Sequence, residues 1–449
     1  MADGPAGEEI VMSLTRDEIS NIRSRLERLR EGVPALSLDK IRDVVVVASS
    51  SRGGSSMFME MLRHSSGMLH LQAEINPFLV LAERTWPHSG ADSDYLDESH
   101  LDAQTRDIIE EELGRELGSR QLGEIDRERL ARDLCWRLTV QWPRIDFDLT
   151  AIQTWVDEVL NVQGVSLAED LDLESLHLGL IHRLRSVYPQ VNPWFYDIDP
   201  RRVRAAFPDL DEPEGPPGDV LLEEPPFILA SPWTSSDGVD VSHRPLVIKT
   251  PSNAYRLDFL AALFPRARMR ILHLTRNPAA SINGLLDGWR FRGFHAHRMP
   301  EPLAVEGYLD QRPADARWWK YDLAPGWQSL TERPLAEICA HQWASAHEAI
   351  LDHIETTGRD HYRLHFEDLV GDAALRRATF ESLFDWLDVE LDGRMAHVIE
   401  EGIPPVMATS RPRHRRWYER AGLLEPLIAE PRIQALARRL GYGETHTWT

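Results

Sequence analysis

The architecture of this chain is indicated most clearly by residues 43–58, which read DVVVVASSSRGGSSMF. Val44–Ala48 has the length and β-branching of a fully buried parallel strand. Ser55 and Ser56 are favourable first residues for the amphipathic helix that follows. A strand, a Gly/Ser turn and a helix N-terminus together direct several backbone N–H groups at one point, where the helix dipole favours negative charge. Because Arg52 adds a permanent cation beside them, the pattern predicts a site for a phosphate-like group.

Kinases and NTPases share this strand–turn–helix arrangement. Their Walker pattern needs a glycine, four further residues, and then Gly-Lys followed by Ser or Thr. No Gly-Lys dipeptide precedes Ser55, so the usual NTPase loop does not occur here. A P-loop nucleotide kinase or NTPase is therefore an alternative interpretation, and a tight turn that holds no ligand is another.

The composition narrows the classes of function. The chain has 449 residues, of which 42% are hydrophobic and 27% charged, as is ordinary for a globular protein with a large core. A net charge of −22 argues against partners such as nucleic acids or anionic membranes. No run of about 18 or more apolar residues occurs, and the acidic N-terminus lacks a signal-peptide pattern. The two cysteines stand in apolar surroundings, which predicts buried, reduced thiols and a cytoplasmic location.

Strand and helix patterns alternate along the chain. The strand candidates are residues 44–48, 68–73, 227–230, 246–249, 269–275 and 361–366. Charged helical patterns occupy residues 11–31 and about 90–205, and a Pro-, Gly- and acid-rich surface loop follows at 208–226. This alternation predicts an α/β fold, a doubly wound parallel sheet of about five strands with flanking helices and a largely helical insertion. Ligands are expected at the carboxyl ends of the strands.

Two further strand candidates have a basic residue at, or directly after, their carboxyl end. Residues 247–253, VIKTPSN, contain a strand that ends at Lys249, and residues 260–278, LAALFPRARMRILHLTRNP, contain one that ends just before Arg276. With the Ser51–Ser56 loop, these segments resemble the sulfotransferase family that uses 3′-phosphoadenosine 5′-phosphosulfate (PAPS), whose fold is P-loop-like. The family's loop binds the 5′-phosphosulfate, which implies this role for Arg52, Gly53, Gly54, Ser55 and Ser56. The family's arginine before Asn-Pro binds the 3′-phosphate, which implies that contact for Arg276.

The resemblance is incomplete around the 3′-phosphate. The family usually has a serine eight residues after its arginine, and this chain has Gly284 there. Either Ser281, the nearest serine, supplies the hydroxyl from a shifted turn, or that contact is missing. Residues 410–420, SRPRHRRWYER, are similar in place and composition to the family's basic loop that closes over the nucleotide. This similarity implies that Arg411, Arg413 and Arg415 are candidates for contacts with the nucleotide phosphates.

The resemblance also implies how the reaction is catalysed. By analogy with phosphoryl transfer, cations are expected at the bridging oxygen and a base at the acceptor. Lys249 and Arg52 are the candidate cations. Glu74 is the candidate base, because tyrosylprotein-type and many bacterial members carry a catalytic glutamate close to this place. The histidine that cytosolic-type members have after the lysine is absent from the Thr-Pro-Ser-Asn stretch here. A capping role before Pro77 is the alternative for Glu74.

The chain is predicted to consist of a helical N-terminal extension, residues 1–40, and a sulfotransferase-like α/β domain, residues 41–449. Its helical insertion, at about 90–225, matches nothing in the family and is predicted to be a cap that binds the acceptor. The implied reaction transfers the sulfuryl group from PAPS to a hydroxyl or amine of a small-molecule or glycan acceptor, without a metal. A nucleotide-binding member that has lost catalysis is a further alternative, and the oligomeric state is left open.

Overall fold

The computed structural model describes residues 14–235 and 241–443. The first part of the predicted N-terminal extension, residues 1–13, lies outside the described residues. The strands are β1 (Asp43–Ala48), β2 (Gly118–Arg120), β3 (Trp233–Ser235), β4 (Leu246–Lys249), β5 (Arg268–Thr275), β6 (His295–Arg298), β7 (Trp318–Lys320) and β8 (His361–His365).

The α-helices are α1 (Arg16–Leu29), α2 (Ser55–Leu62), α3 (Asn76–Leu81), α4 (Ala103–Glu116), α5 (Arg127–Gln141), α6 (Leu149–Gln163), α7 (Leu173–Val187), α8 (Pro200–Ala206), α9 (Leu257–Leu263), α10 (Pro278–Trp289), α11 (Leu335–Thr357), α12 (Phe366–Val370), α13 (Ala373–Leu387), α14 (Gly393–Glu401), α15 (Ala421–Ile428) and α16 (Pro431–Arg439). Within the two described ranges, no helix combines the length and the apolar character needed to cross a membrane. Cys135 and Cys339 are both buried and form no disulfide.

The central sheet contains four parallel strands in the order β4–β1–β5–β8. In the middle of it, Val44 of β1 pairs with Leu246 on one side and with Met269 on the other. Helices from the intervening segments cover both faces, so the predicted doubly wound α/β class is confirmed. Two short antiparallel pairs, β2–β3 and β6–β7, lie outside this sheet.

Two strand candidates do not become strands of the sheet. Residues 68–73 make one parallel bridge, from Leu69 to Leu246, and His70 then bonds to Gly118 instead. Residues 227–230 make one bridge, from Phe227 to Tyr196, and the two prolines before them have no N–H to extend a ladder. Both predictions are wrong because an apolar run indicates burial rather than backbone pairing. The sheet therefore has four strands in the described residues rather than about five.

Alternate side chains of β1 enter different hydrophobic clusters. Val44 and Val46 pack with residues of α1, α3, α9 and α11 on one face of the sheet. Val45 and Val47 pack with residues of α2, α13 and α14 on the other face. All four valines are buried, and each contributes roughly 1.5–3 kcal/mol of transfer free energy. The first strand is thus held rigidly between two helical layers, which positions the loop that leaves its carboxyl end.

Helices α5, α6 and α7 have a hydrophobic core of their own, and buried charges connect it to the rest of the chain. Arg137 of α5 donates to Glu116 at 2.6 Å and to Glu223 at 2.9 Å, and Arg30 donates to Glu116 at 2.6 Å. Burial raises the pKa of Glu116, but the two guanidinium groups outweigh this effect and hold that pKa below its ordinary value. The network fixes the segment around Glu223 beside the carboxyl ends of the strands.

His177 of α7 makes the folded state sensitive to acid. Its Nε2 lies 2.9 Å from the carbonyl oxygen of Ala230, and burial lowers the pKa of His177 to about 4. In the unfolded chain this histidine has an ordinary pKa of about 6.5. Between about pH 6.5 and 4 it is therefore protonated in the unfolded chain but neutral in the native state. This contribution to stability is complete above about pH 6.5 and is lost as the pH falls towards 4.

Urea unfolding at pH 7 and pH 5 measures the effect of His177. Over this interval, we expect the wild type to lose about 2 kcal/mol more unfolding free energy than His177→Gln, which has no group to titrate. His182→Gln, on the exposed side of the same helix, is the matched control and should follow the wild type. Equal losses in His177→Gln and the wild type would show that the buried imidazole does not carry the effect.

Candidate functional site

A cavity of about 740 Å³ opens where β1, β4 and β5 end. Ligands of open α/β sheets bind at this edge, because the loops that leave the carboxyl ends of the strands diverge there. The predicted site residues that line the cavity are Arg52, Gly54, Ser55, Ser56, Glu74, Lys249, Arg276, Arg413 and Arg415. Three other predicted residues are absent from the lining, namely Gly53, Ser281 and Arg411.

The loop after β1 turns sharply into α2. Arg52, with φ 62°, and Gly54, with φ 95°, both have left-handed backbone conformations, and the helix begins at Ser55. A Cβ atom on Gly54 would lie 2.1 Å from the ring of Phe366, so only glycine fits at this position. The turn brings the N-terminus of α2, with its N–H groups and positive dipole end, to the wall of the cavity.

Arg52 is held by two segments that are distant in sequence. Its Nη1 donates to the carbonyl oxygen of Met407 at 2.8 Å, and its guanidinium carbon lies 5.2 Å from the centre of the Phe294 ring. The backbone N–H of Met407 in turn donates to Asp197 at 3.0 Å. The helical segment and the C-terminal segment therefore both determine where this cation lies.

Lys249 connects the loop to Glu74. Its Nζ donates to Ser56 Oγ at 3.1 Å and forms an ion pair with the Glu74 carboxylate. The lysine side chain is 9% exposed, whereas that of Glu74 is 35% exposed and faces the cavity. The ammonium group is thus placed at the first turn of α2 by a carboxylate on one side and a hydroxyl on the other.

Arg276 is a partly buried cation with no carboxylate within ion-pair distance among the described residues. Its Nη1 donates to the backbone oxygen of Arg52 at 3.2 Å, and its guanidinium carbon lies 4.6 Å from the centre of the Phe366 ring. Burial lowers the pKa of Arg276 to about 10. A guanidinium that is desolvated and unpaired in this way is suited to an anion that enters from the cavity.

The turn that carries Arg276 is held in place by hydrogen bonds of the next residue, Asn277. Asn277 caps α10 by accepting the N–H of Ala280 at 2.8 Å, and its own N–H donates to Glu367 at 3.0 Å. The second oxygen of Glu367 accepts the hydroxyl of Tyr442 at 2.8 Å. Glu367 therefore connects β5, α12 and the C-terminal segment, which is a structural role.

The predicted residues that lie away from the cavity have other surroundings. Gly53 closes the turn by donating its N–H to Ser50 at 3.1 Å. Ser281 is fully buried on α10, and its hydroxyl has no hydrogen-bond partner among the described residues. Arg411 is exposed on the surface. The hydroxyl of Ser281 thus does not reach the cavity.

Gly284 packs closely against the stem of Arg52. A Cβ atom at this position would lie 3.2 Å from Cβ of Arg52 and 3.9 Å from its Nε. A side chain here would therefore require Arg52 to shift by a few tenths of an ångström.

The C-terminal basic segment contributes two of the three expected arginines, Arg413 and Arg415, and one that was not expected. Arg413 lines the cavity but pairs with the exposed Glu419 at 2.9 Å. Arg416, which the sequence analysis did not select, also lines the cavity, and together with Arg420 it contacts the largely buried Asp287 of α10. Asp287 lies one helical turn after Gly284 on α10, and no local pattern in the sequence indicates its contact with Arg416.

Asp322 and Glu224 are cavity carboxylates that belong to no motif. Asp322 accepts the hydroxyls of Ser51 at 2.8 Å and Tyr255 at 3.1 Å, and burial raises the pKa of Asp322 to about 6. Glu224 follows the anchored Glu223 in the acid-rich loop. Cations and carboxylates are therefore interspersed in this cavity, and Asp322 contacts the loop after β1 itself.

Comparison with known proteins identifies the family. A model of the sulfotransferase family matches residues 44–297, more than half of the chain, and this range contains the loop after β1 together with Glu74, Lys249 and Arg276. The chain belongs to the sulfotransferase family. No curated protein matches this sulfotransferase.

Two solved structures are similar to this sulfotransferase at low identity. The sulfotransferase domain of the Synechococcus PCC 7002 olefin synthase is 14% identical, with a TM-score of 0.33 over 91% of this chain and 96% of that one. Sulfotransferase STF9 from Mycobacterium avium is 13% identical, with a TM-score of 0.34 over 92% of this chain and 83% of that one. The assignment of the family rests on the sequence match alone.

The cavity of this sulfotransferase brings cationic and carboxylate side chains together. Fixed cations can stabilise the negative charge that develops on a leaving oxygen. Carboxylates near them can accept a proton from a nucleophile. In the described parts of the chain, no group of three or more His, Cys, Asp or Glu side chains is arranged to hold a metal ion.

Proposed function

We propose that this sulfotransferase transfers the sulfuryl group of PAPS to a hydroxyl or amine of a small-molecule or glycan acceptor. The observation that carries the proposal is the convergence of Arg52, Lys249 and Arg276 on one cavity that also contains the Glu74 carboxylate. Three cations at the ends of parallel strands suit a donor with several anionic groups. A carboxylate in the same cavity can accept the proton that the acceptor loses.

The residues present fit PAPS as the donor. The N-terminus of α2 and the ammonium of Lys249 would hold its 5′-phosphosulfate, and Arg276 would hold its 3′-phosphate. The unpaired, desolvated guanidinium of Arg276 supports this assignment, since an incoming phosphate would restore its lost solvation. Arg413, Arg415 and Arg416 are proposed to close the donor site from the C-terminal side.

The chain's own groups have separate tasks in the reaction. PAPS, when bound, supplies the sulfuryl group and leaves as 3′-phosphoadenosine 5′-phosphate (PAP). Lys249 and Arg52 stabilise the charge that develops on the oxygen of the leaving phosphate. Glu74 holds Lys249 at the loop, and a carboxylate of the cavity takes the acceptor's proton. The sequence prediction assigns this second task to Glu74 as well.

The helical segment at about 90–225 is proposed to be the cap that binds the acceptor. It has its own hydrophobic core, and the charged network of Arg137 and Glu223 attaches its end to the cavity wall. The residues that follow Glu223, including Glu224 and Pro225, line the cavity. We place acceptor selection in this segment because it supplies lining residues that binding of the nucleotide does not require.

Thermal unfolding with PAP, in parallel with ATP or ADP and magnesium, tests the proposed function. PAP at about 100 times its dissociation constant should stabilise the wild type by roughly 2.7 kcal/mol, with a visible rise in Tm. Arg276→Ala should lose most of that rise. Arg266→Ala, an exposed arginine outside the cavity, is the matched control. A rise with ATP alone would favour the kinase interpretation, and PAP binding without PAPS turnover would favour a non-catalytic member.

A further inference from the structure

Glu224 is a cavity carboxylate without a close cation. It lines the cavity together with Glu74, Asn76 and Lys249 and is partly accessible from it. Its Oε1 accepts the amide N–H of Asn76 at 3.4 Å, a weak contact. Among the described residues, no Lys, Arg or His side chain lies within ion-pair distance of it. The carboxylate is therefore available to a molecule in the cavity.

The position of Glu224 is fixed from both sides. Its neighbour Glu223 accepts from Arg137 at 2.9 Å and from Gln141 at 2.9 Å, which anchors the backbone to α5. On the other side, Arg256 donates to Oδ1 of Asn76 at 2.7 Å, so that the amide N–H of Asn76 is turned towards Glu224. A carboxylate presented by a rigid framework in this way is preorganised for proton transfer.

Glu74 is occupied in a way that Glu224 is not. Its Oε1 forms the ion pair with Lys249, whose ammonium also contacts Ser56. The carboxylate of Glu74 is thus already engaged by the ammonium that it positions. Protonation of Glu74 would also release the lysine from the place where the leaving group's charge develops. The two tasks are better served by two carboxylates.

We propose that Glu224 is the general base of the reaction and that Glu74 positions Lys249. The proposal rests on the proposed function and deepens it. The proton of the acceptor's hydroxyl moves to the Glu224 carboxylate as the acceptor oxygen forms its bond to sulfur. The bond between sulfur and the bridging oxygen of PAPS breaks, and its electron pair stays on the 5′-phosphate of PAP beside Lys249. The products are the sulfate ester, PAP and a proton that Glu224 returns to solvent.

The electrostatic surroundings of Glu224 agree with this role. Burial, together with the negative charge of Glu74, raises the pKa of Glu224 to about 7. Asp94 adds to this effect, whereas His297 and Arg256 oppose it. A base whose pKa lies near the working pH combines a useful ionised fraction with a sufficient affinity for the proton.

Two phenols used as acceptors can distinguish a catalytic base from a residue with a structural role. At pH 8, 4-ethylphenol is almost wholly protonated, with a pKa of about 10, whereas 4-nitrophenol is largely ionised and needs no base. With PAPS as donor, Glu224→Gln should lower kcat for 4-ethylphenol by about 10²-fold or more and leave kcat for 4-nitrophenol within a few-fold. Glu74→Gln should lower kcat for both phenols, because Glu74 acts by positioning Lys249. Glu214→Gln, exposed on the preceding loop, is the matched control.

Readouts other than turnover accompany this comparison. The Tm rise with PAP should be retained in Glu224→Gln, since Glu224 does not hold the donor. Infrared titration should show a carboxyl group with a midpoint near pH 7 in the wild type and its loss in Glu224→Gln. If the wild type accepts neither phenol, this titration decides: loss of the midpoint in Glu224→Gln supports the proposal, and its persistence overturns it.

Other outcomes would overturn the assignment. Selective loss of 4-ethylphenol turnover in Glu74→Gln would make Glu74 the base, and equal loss of both phenols in Glu224→Gln would make Glu224 structural. Either result, with PAP binding intact, removes the inference and leaves the proposed function standing. Absence of a Tm rise with PAP in the wild type would instead remove the proposed function.

Discussion

Replacement of Lys249 by methionine is expected to lower kcat for sulfuryl transfer from PAPS by about 10²- to 10³-fold. Methionine retains the aliphatic stem in the cavity wall but removes the ammonium that contacts Ser56 and Glu74. The lost interaction stabilises charge that develops only as the sulfur–oxygen bond breaks. Release of PAP, measured at saturating PAPS, reports the effect, and kcat and kcat/KM should fall by the same factor.

Lys40→Met provides the control for this result. Lys40 is exposed outside the cavity, so its replacement should leave kcat unchanged. Circular dichroism of both variants should match the wild type, because Glu74 remains partly solvated when its partner is removed. A kcat for Lys249→Met within about threefold of the wild type would show that this ammonium does not face the developing charge.

The largest expected effect on stability comes from Arg137→Met. Its guanidinium is 3% exposed and neutralises Glu116 and Glu223, which are themselves buried. Removal of one partner from a buried ion pair leaves an uncompensated charge, which costs about 3–5 kcal/mol of unfolding free energy. Denaturant unfolding should therefore show a much lower midpoint with a similar slope.

A second arginine on the same helix is the matched control. Arg132 pairs with Glu128, whose side chain is 69% exposed, so Arg132→Met should cost at most about 1 kcal/mol. The double variant Arg137→Met, Glu223→Gln should recover part of the lost unfolding free energy. The glutamine that replaces Glu223 is neutral, so one of the two buried carboxylates that Arg137→Met leaves without its partner is removed. If Arg137→Met and Arg132→Met cost the same, the buried network does not hold the helical segment to the sheet.

Several site residues were predictable because their surroundings are local. The apolar run before the loop forms β1 at Asp43–Ala48, and α2 begins at Ser55, as its residue pattern indicates. Lys249 and Arg276 were predictable as neighbours because each stands at the end of a parallel strand, and all such ends meet at one edge of a sheet. Helix α13 over Ala373–Leu387 likewise follows its apolar periodicity.

The remaining site residues depend on packing that no local pattern indicates. A basic run without periodicity does not reveal which arginine points inward, and Arg416 does so because Asp287 of α10 lies beneath it. Gly284 appears from the sequence to be a missing serine, and only the folded chain places the stem of Arg52 against it. Glu224 lies in an acid-rich loop where any carboxylate could have been the solvated one.

Local sequence thus determines the loop after β1 and the helices around it, since helical hydrogen bonding and apolar periodicity act between residues close in the chain. The tertiary structure decides which charges share the cavity. Arg256 orients Asn76 from 180 residues away, and Arg137 anchors Glu223 from 86 residues away. Such contacts depend on how the helical segment packs against the sheet, so the physical environment of Glu224 arises only when the chain is folded.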